Sequence, residues 1–225
     1  MCFSPVISLS TAIVEFVVAT LILIFFRKSL VNKFFIIFIY LLGFYQFSEF
    51  MLCTFNNPIL WIKLGYVTYT FLPTIGLHFV IRLTNIKYKG SYSLLYILPT
   101  IFVLIAIFTK NFVIGSECSA VFVMVKLAKN QFHSALYTIY YFGFIALVGL
   151  FLCSKLRKEK SHIRRKLYIT ILFAGIVSLV SALVLIVILP PLNVMFPSVY
   201  CEFAFAFTIA ALIGAYLDSR VKQKK

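Results

Sequence analysis

Three carboxylates and one ammonium stand inside otherwise apolar runs of this sequence: Glu15, Glu49, Glu202 and Lys63. An ionisable side chain in hydrocarbon costs roughly 2.5–3.5 kcal/mol on insertion scales. Each of the four must therefore meet protein or water, reach the headgroups, or belong to a site. Ser8, Thr11 and Glu15 follow an i, i+3, i+7 spacing that puts them on one helix face, and Gln46, Glu49 and Cys53 do the same. Glu202, Ala206, Ala210 and Gly214 recur at steps of four, a small-residue face that lets helices approach closely. Lys63, Tyr66, Thr70 and Thr74 form a further polar stripe, with His78 beyond it. The chemistry such groups offer is binding. An ion pair of Lys63 with Glu49 or Glu202 is the economical arrangement, because each partner relieves the other's desolvation. The competing reading is that Glu49, Glu202 and Lys63 snorkel from near the ends of their runs; Glu15 lies too deep for that. Three uncompensated charges would cost roughly 8–10 kcal/mol together, comparable to the net stability of a domain. Shared partners, a proton or a wet cavity must offset that cost.

Catalytic spacing is missing. There is no Gly-x-Ser-x-Gly nucleophile turn, no HExxH and no CxxC, so we expect neither an enzyme nor a bound metal or cofactor. Cys2 could become an N-terminal nucleophile after loss of Met1, yet no base accompanies it. His78 is far from Glu15 and reads as an interface residue. The last apolar run has no Lys, which excludes a retinal Schiff base of the usual kind. Cys2, Cys53, Cys118 and Cys201 fall toward one face and Cys153 toward the other. Four cysteines allow three pairings, of which Cys53–Cys118 and Cys118–Cys201 both suit a loop anchor.

The elements that must position these groups are long helices. The chain has 225 residues, 63% hydrophobic and 12% charged, with mean hydropathy +1.05, against about 45–50% and about 25% for soluble domains. Seven apolar runs follow one another: about Ile7–Phe26, Phe34–Cys53, Leu60–Ile81, Tyr92–Phe108, Phe132–Cys153, Leu167–Leu189 and Val199–Leu217. Some twenty residues at ~1.5 Å rise cross the ~30 Å hydrocarbon layer. The expected fold is all-α, a single seven-transmembrane helix bundle over residues 1–225. Pro5, Pro58 and Pro197 fit helix starts, Pro190 and Pro191 stop the sixth helix, and Pro73 and Pro99 should kink the third and fourth. No signal peptide is evident, so the first helix is expected to be retained.

The formal charge of +15 is confined to clusters between the runs. Seventeen of the 21 Lys and Arg fall on one side, in the connections after helices one, three and five and in the tail. That asymmetry predicts an external N-terminus and a cytoplasmic C-terminus in the cell membrane, with the lipid bilayer rather than nucleic acid as the partner. The longest external segment, 111–131, carries Val-Phe-Val-Met-Val near a Gly and predicts a short β-hairpin in the helix 4–5 loop.

Several stretches carry a family resemblance: the acidic second helix, WIKLGYVTYTFLPTIGLHF, FHSALYTIYYFGF, the basic turn KSHIRRKLYITILFAG and PSVYCEFAFAFTIAALIGAY. Over about three quarters of the chain this pattern resembles the seven-helix N-terminal sensor region of bacterial and archaeal histidine kinases. In that family an output domain follows the seventh helix. Here DSRVKQKK comes next, so the resemblance implies a free-standing bundle that signals through a separate cytoplasmic kinase or other output protein. The opening MCFSPVISLSTAIVEF, with YQFSEF, is also similar to small uncharacterised membrane proteins that begin Met-Cys-Phe-Ser. That likeness implies that Cys2, Ser4, Ser8, Gln46 and Glu49 belong together, and implies no activity.

The functional expectation is a receptor or sensor module. Glu15, Gln46, Glu49, Lys63, Tyr66 and Glu202 would line an outer-half cavity between helices one, two, three and seven, open to a small polar or protonatable ligand. A proton- or cation-coupled transporter or channel is the alternative, since intramembrane carboxylates suit ion paths; no inverted repeat or interrupted helix pair accompanies them. An intramembrane enzyme ranks third.

Overall fold

The computed structural model describes residues 5–26, 29–55, 57–86, 90–110, 112–118, 123–127, 131–183 and 200–223. Within them the chain forms α1 (Pro5–Phe25), α2 (Leu30–Thr54), α3 (Pro58–Leu83), a 3-10 turn (Tyr92–Tyr96) running into α4 (Ile97–Phe108), strands β1 (Val113–Cys118) and β2 (Val123–Leu127), α5 (Gln131–Leu156), α6 (His162–Leu183) and α7 (Tyr200–Gln223). The two strands pair antiparallel, with a register irregularity between Val113 and Gly115. The expected stop at Pro190–Pro191 and the start at Pro197 lie outside the described residues.

Local chemistry explains where these helices begin. α2 starts four residues ahead of its apolar run because extended Ser29 caps it, the hydroxyl accepting from the Asn32 amide at 3.0 Å. Asn57 caps α3 in the same way, with Pro58 in the first turn where a missing N–H is harmless. Asn85, at φ 51, takes the left-handed conformation just past the end of α3. Pro99 does not lie in the interior of the fourth helix, contrary to expectation: α4 starts only at Ile97, so Pro99 sits in its first turn, where no intrahelical donor is required. Pro73 lies well inside α3, where its ring nitrogen has no hydrogen to donate back along the helix.

Among the described residues, four helices are long and apolar enough to cross a membrane: Val6–Phe25, Leu30–Thr54, Pro58–Leu83 and Ala135–Leu156. Their outward faces present large apolar side chains such as Ile13, Val17, Ile24, Ile139 and Leu150. A surface of that kind belongs in lipid; this is a membrane protein.

α2 is the hub, packed against α1, α3 and α7, while α3 also meets α4 and α5. Glycine sets the closest approaches. A Cβ at Gly43 would lie 2.7 Å from the Phe16 ring of α1, and one at Gly214 would lie 2.5 Å from the Phe35 ring. Phe35 has little room to yield, being 1% exposed and flanked by Phe79 and Phe207. On the other side of α3, Tyr66, Phe102, Ala106, Phe112 and Tyr140 form a second core. Hydroxyls tie it to α3: Tyr137 pairs with Thr70 Oγ1 at 3.2 Å and Tyr140 with Thr74 Oγ1 at 2.9 Å. The Tyr140 hydroxyl also lies 2.6 Å from the Thr70 carbonyl, one turn before Pro73, as its donor.

Two consequences are measurable by thermal unfolding in detergent. Gly214→Ala and Gly143→Ala both gain helix propensity, but only Gly214 faces a ring; a Cβ at Gly143 meets nothing within 4 Å. Gly214→Ala should therefore destabilise by about 1–3 kcal/mol relative to Gly143→Ala, and equal midpoints would contradict the packing. Tyr140→Phe should cost about 0.6–2 kcal/mol for its lost bonds, and an unchanged midpoint would mean the clamp does not hold α5 to α3.

Candidate functional site

The seam between α1 and α2 is built from two heptad-like stripes. Ser8, Ala12, Glu15, Ala19 and Ile22 are the buried face of α1; Phe35, Ile39, Leu42, Gln46 and Glu49 are that of α2. Contacts fix the antiparallel register. Ser8 meets Glu49, Phe16 meets Gly43, and the Thr20 and Tyr40 hydroxyls lie 3.0 Å apart. Glu15 consequently stands level with the 42–45 stretch of α2, between Leu42 and Gln46.

Glu49 is 7% exposed and held by hydroxyls: Tyr45 donates to Oε1 at 2.7 Å and Ser8 to Oε2 at 3.4 Å. Gln46 is fully buried on the same face, one turn away. Glu15 is 1% exposed, and neither of its oxygens has a hydrogen-bond partner. α7 closes this side of the bundle, packing on both α1 and α2. Its buried face includes Ala204, Thr208, Ala211 and Ala215, and the Thr208 hydroxyl turns back to the Ala204 carbonyl at 2.8 Å.

The structure thus gathers Glu15, Gln46 and Glu49 on one seam and places Lys63 and Tyr66 elsewhere. Lys63 does not pair with Glu49. Its ammonium donates to the carbonyls of Ile107 at 2.9 Å and Thr109 at 3.4 Å. The last carbonyls of a helix lack amide donors and carry the negative end of its dipole, so Lys63 acts as a cap for α4. Tyr66 belongs to the second core, edge-on to Phe112 at 4.9 Å, and faces α4 and α5 instead of the carboxyls. The side chains of Glu202, Cys118 and Cys201 and the placement of Cys2 lie outside the described residues. Cys53 is disulfide-bonded, and Cys153 is a free thiol. His78 stacks on Tyr92 at 4.7 Å and shares a 2.9 Å hydrogen bond with Tyr96, fastening the 3-10 turn to α3.

Sequence reasoning missed Tyr45, whose hydroxyl orients Glu49; its position one turn before the acid, i and i+4, was the available signal. It also missed His133, whose ring lies 5.4 Å from Phe102 in the second core. Among the described residues, no group of three or more His, Cys, Asp or Glu could hold a metal ion. What the seam can do chemically is accept hydrogen bonds and positive charge.

A comparison with curated proteins returns no match. The family model described as the N-terminal 7TM region of histidine kinase matches residues 7–222, nearly the whole length, and the chain belongs to that family.

Proposed function

We propose that the protein is a receptor module of the cell membrane, seven-pass, with its N-terminus outside. It binds a small polar or protonatable ligand between α1, α2 and α7 and signals to a cytoplasmic kinase or other output protein. The observation that carries this reading is Glu49, a carboxyl turned into the bundle and oriented there by Ser8 and Tyr45. Orienting a carboxylate costs two hydroxyls their other partners, which is how binding groups are prepared.

Ring contacts lead from the seam across α3 to α5, whose far end carries the basic turn. The Tyr45 ring stands edge-on to Tyr69 at 5.8 Å, Tyr69 meets Tyr137 at 6.3 Å, and Tyr137 pairs with Thr70. A movement of Tyr45 would thus reach the Pro73 turn of α3 and α5. The turn after α5 exposes Arg157, Lys158 and Lys160, a surface suited to an acidic partner.

The orphan carboxyl of Glu15 would also suit transport of a cation or proton, and one experiment separates the two readings. The full chain is screened in lipid nanodiscs for thermal stabilisation by small polar compounds, beside Glu49→Gln and Tyr45→Phe, and reconstituted in vesicles for ion flux. A receptor should show at least one compound that stabilises the parent, by about 2.7 kcal/mol at a hundredfold excess over Kd. That effect should be lost in Glu49→Gln, with no flux in any form. Ion or proton flux that depends on Glu15 or Glu49 would contradict the receptor reading, as would a panel without a single stabilising compound.

A further inference from the structure

Among the described residues, many Ser and Thr hydroxyls turn back on their own helix: Ser10 to the Val6 carbonyl, Thr11 to Ile7, Thr20 to Phe16, Thr208 to Ala204. Glu15 is the contrast. It lies at the midpoint of α1, 1% exposed, with both carboxyl oxygens buried and neither accepting a hydrogen bond. Among the described residues, no donor reaches it. On α1 its buried neighbours are Ala12 and Ala19, and across the seam stands Gly43. The α7 register points the same way: Phe207 stacks on Phe38 at 4.2 Å and Gly214 abuts Phe35. That places Ala204 beside the stretch of α2 level with Glu15, the side chains of the α7 turn before it lying outside the described residues. Packing alone does not call for an acid among alanines and glycine, where Leu or Gln would be cheaper.

The missing complement is one positive charge able to donate hydrogen bonds. A multivalent metal would need more ligands than the described residues gather here. An ammonium fits: it brings N–H donors for two carboxyl oxygens, with the Gln46 amide one turn closer to Glu49. Glu49, already oriented by two hydroxyls, stands about a turn further along the same seam and would meet such a guest first.

We infer that the ligand taken by this bundle is a small organic ammonium and that Glu15 is its counter-ion. This inference rests on the receptor reading and narrows its ligand to one charge class.

The test uses the full chain in phosphatidylcholine nanodiscs at constant ionic strength set with sodium chloride, with three probes of similar size: methylammonium chloride, acetamide and sodium acetate. Thermal midpoints are compared for the parent, Glu15→Gln, Glu15→Leu and Glu49→Gln. Methylammonium should raise the parent's midpoint, acetamide and acetate should not, and Glu15→Gln should weaken the methylammonium response at least tenfold. Without any probe, Glu15→Gln and Glu15→Leu should both melt higher than the parent, because an unpaired buried carboxyl is removed. A methylammonium response that survives in Glu15→Gln, no methylammonium response at all, or a lower midpoint of both probe-free Glu15 variants would overturn the inference. If acetamide or acetate stabilises the parent through Glu49 instead, the receptor reading stands and the charge class is wrong. If no probe and no compound of the wider panel acts, both fall.

Discussion

Hydrocarbon offers a polar group nothing to bond with, and that single constraint orders this molecule. Backbone groups are satisfied by helix formation. Serine and threonine hydroxyls bond the carbonyl one turn back, tyrosine hydroxyls bridge α5 to α3, and Lys63 covers the carbonyls at the end of α4. Against that background Glu15 stands out: among the described residues it is a buried carboxyl with no donor to either oxygen. Tolerating one is expensive in a fold whose whole net stability is on the order of 10 kcal/mol. The cost makes sense where an incoming group supplies the missing bonds.

The bundle has two unlike halves that meet along α2 and α3. On one side α1, α2 and α7 pack through small residues and phenylalanine, with the acids set into the seam. On the other, α3, α4 and α5 enclose a tyrosine-rich core in which the Tyr137 and Tyr140 hydroxyls are tied to threonine or backbone. Tyr45 and Tyr69 stand at the junction, one bonded to Glu49 and the other packed on the tyrosines of α5. A sensor needs a polar site joined to a mechanically continuous path, and membership in the histidine-kinase 7TM family is what one would expect of such a build.

Much of this was legible in the residues. The i, i+3, i+7 spacing of Ser8, Thr11 and Glu15, and of Gln46, Glu49 and Cys53, marked the faces on which the structure buries Ser8, Glu15, Gln46 and Glu49, with Thr11 and Cys53 half-buried at their edges. Apolar run lengths located the helices to within several residues; the caps at Ser29 and Asn57 moved the starts outward, since a capping hydroxyl or amide acts beyond the last apolar residue. Partners were harder. Periodicity says that Lys63 and Tyr66 lie on one stripe, but not which neighbour that stripe meets. The ammonium found helix-end carbonyls, and the ring found Phe112. Pro99 was misread for a related reason: the consequence of a proline depends on its distance from the helix start, and the 3-10 turn before α4 moved that start to Ile97.

The account stands on Glu15 facing the interior of the bundle. Nitroxide labels placed singly along α1 in lipid vesicles, with relaxation by dissolved oxygen as the readout, measure that directly, because oxygen concentrates in the acyl chains. Accessibility should oscillate with the helical period, low at positions 8, 12, 15 and 19 and high at 13, 17 and 24, matching the buried and exposed faces. A label at position 15 as accessible to oxygen as one at 13 or 17 would place the carboxyl against lipid and contradict the account.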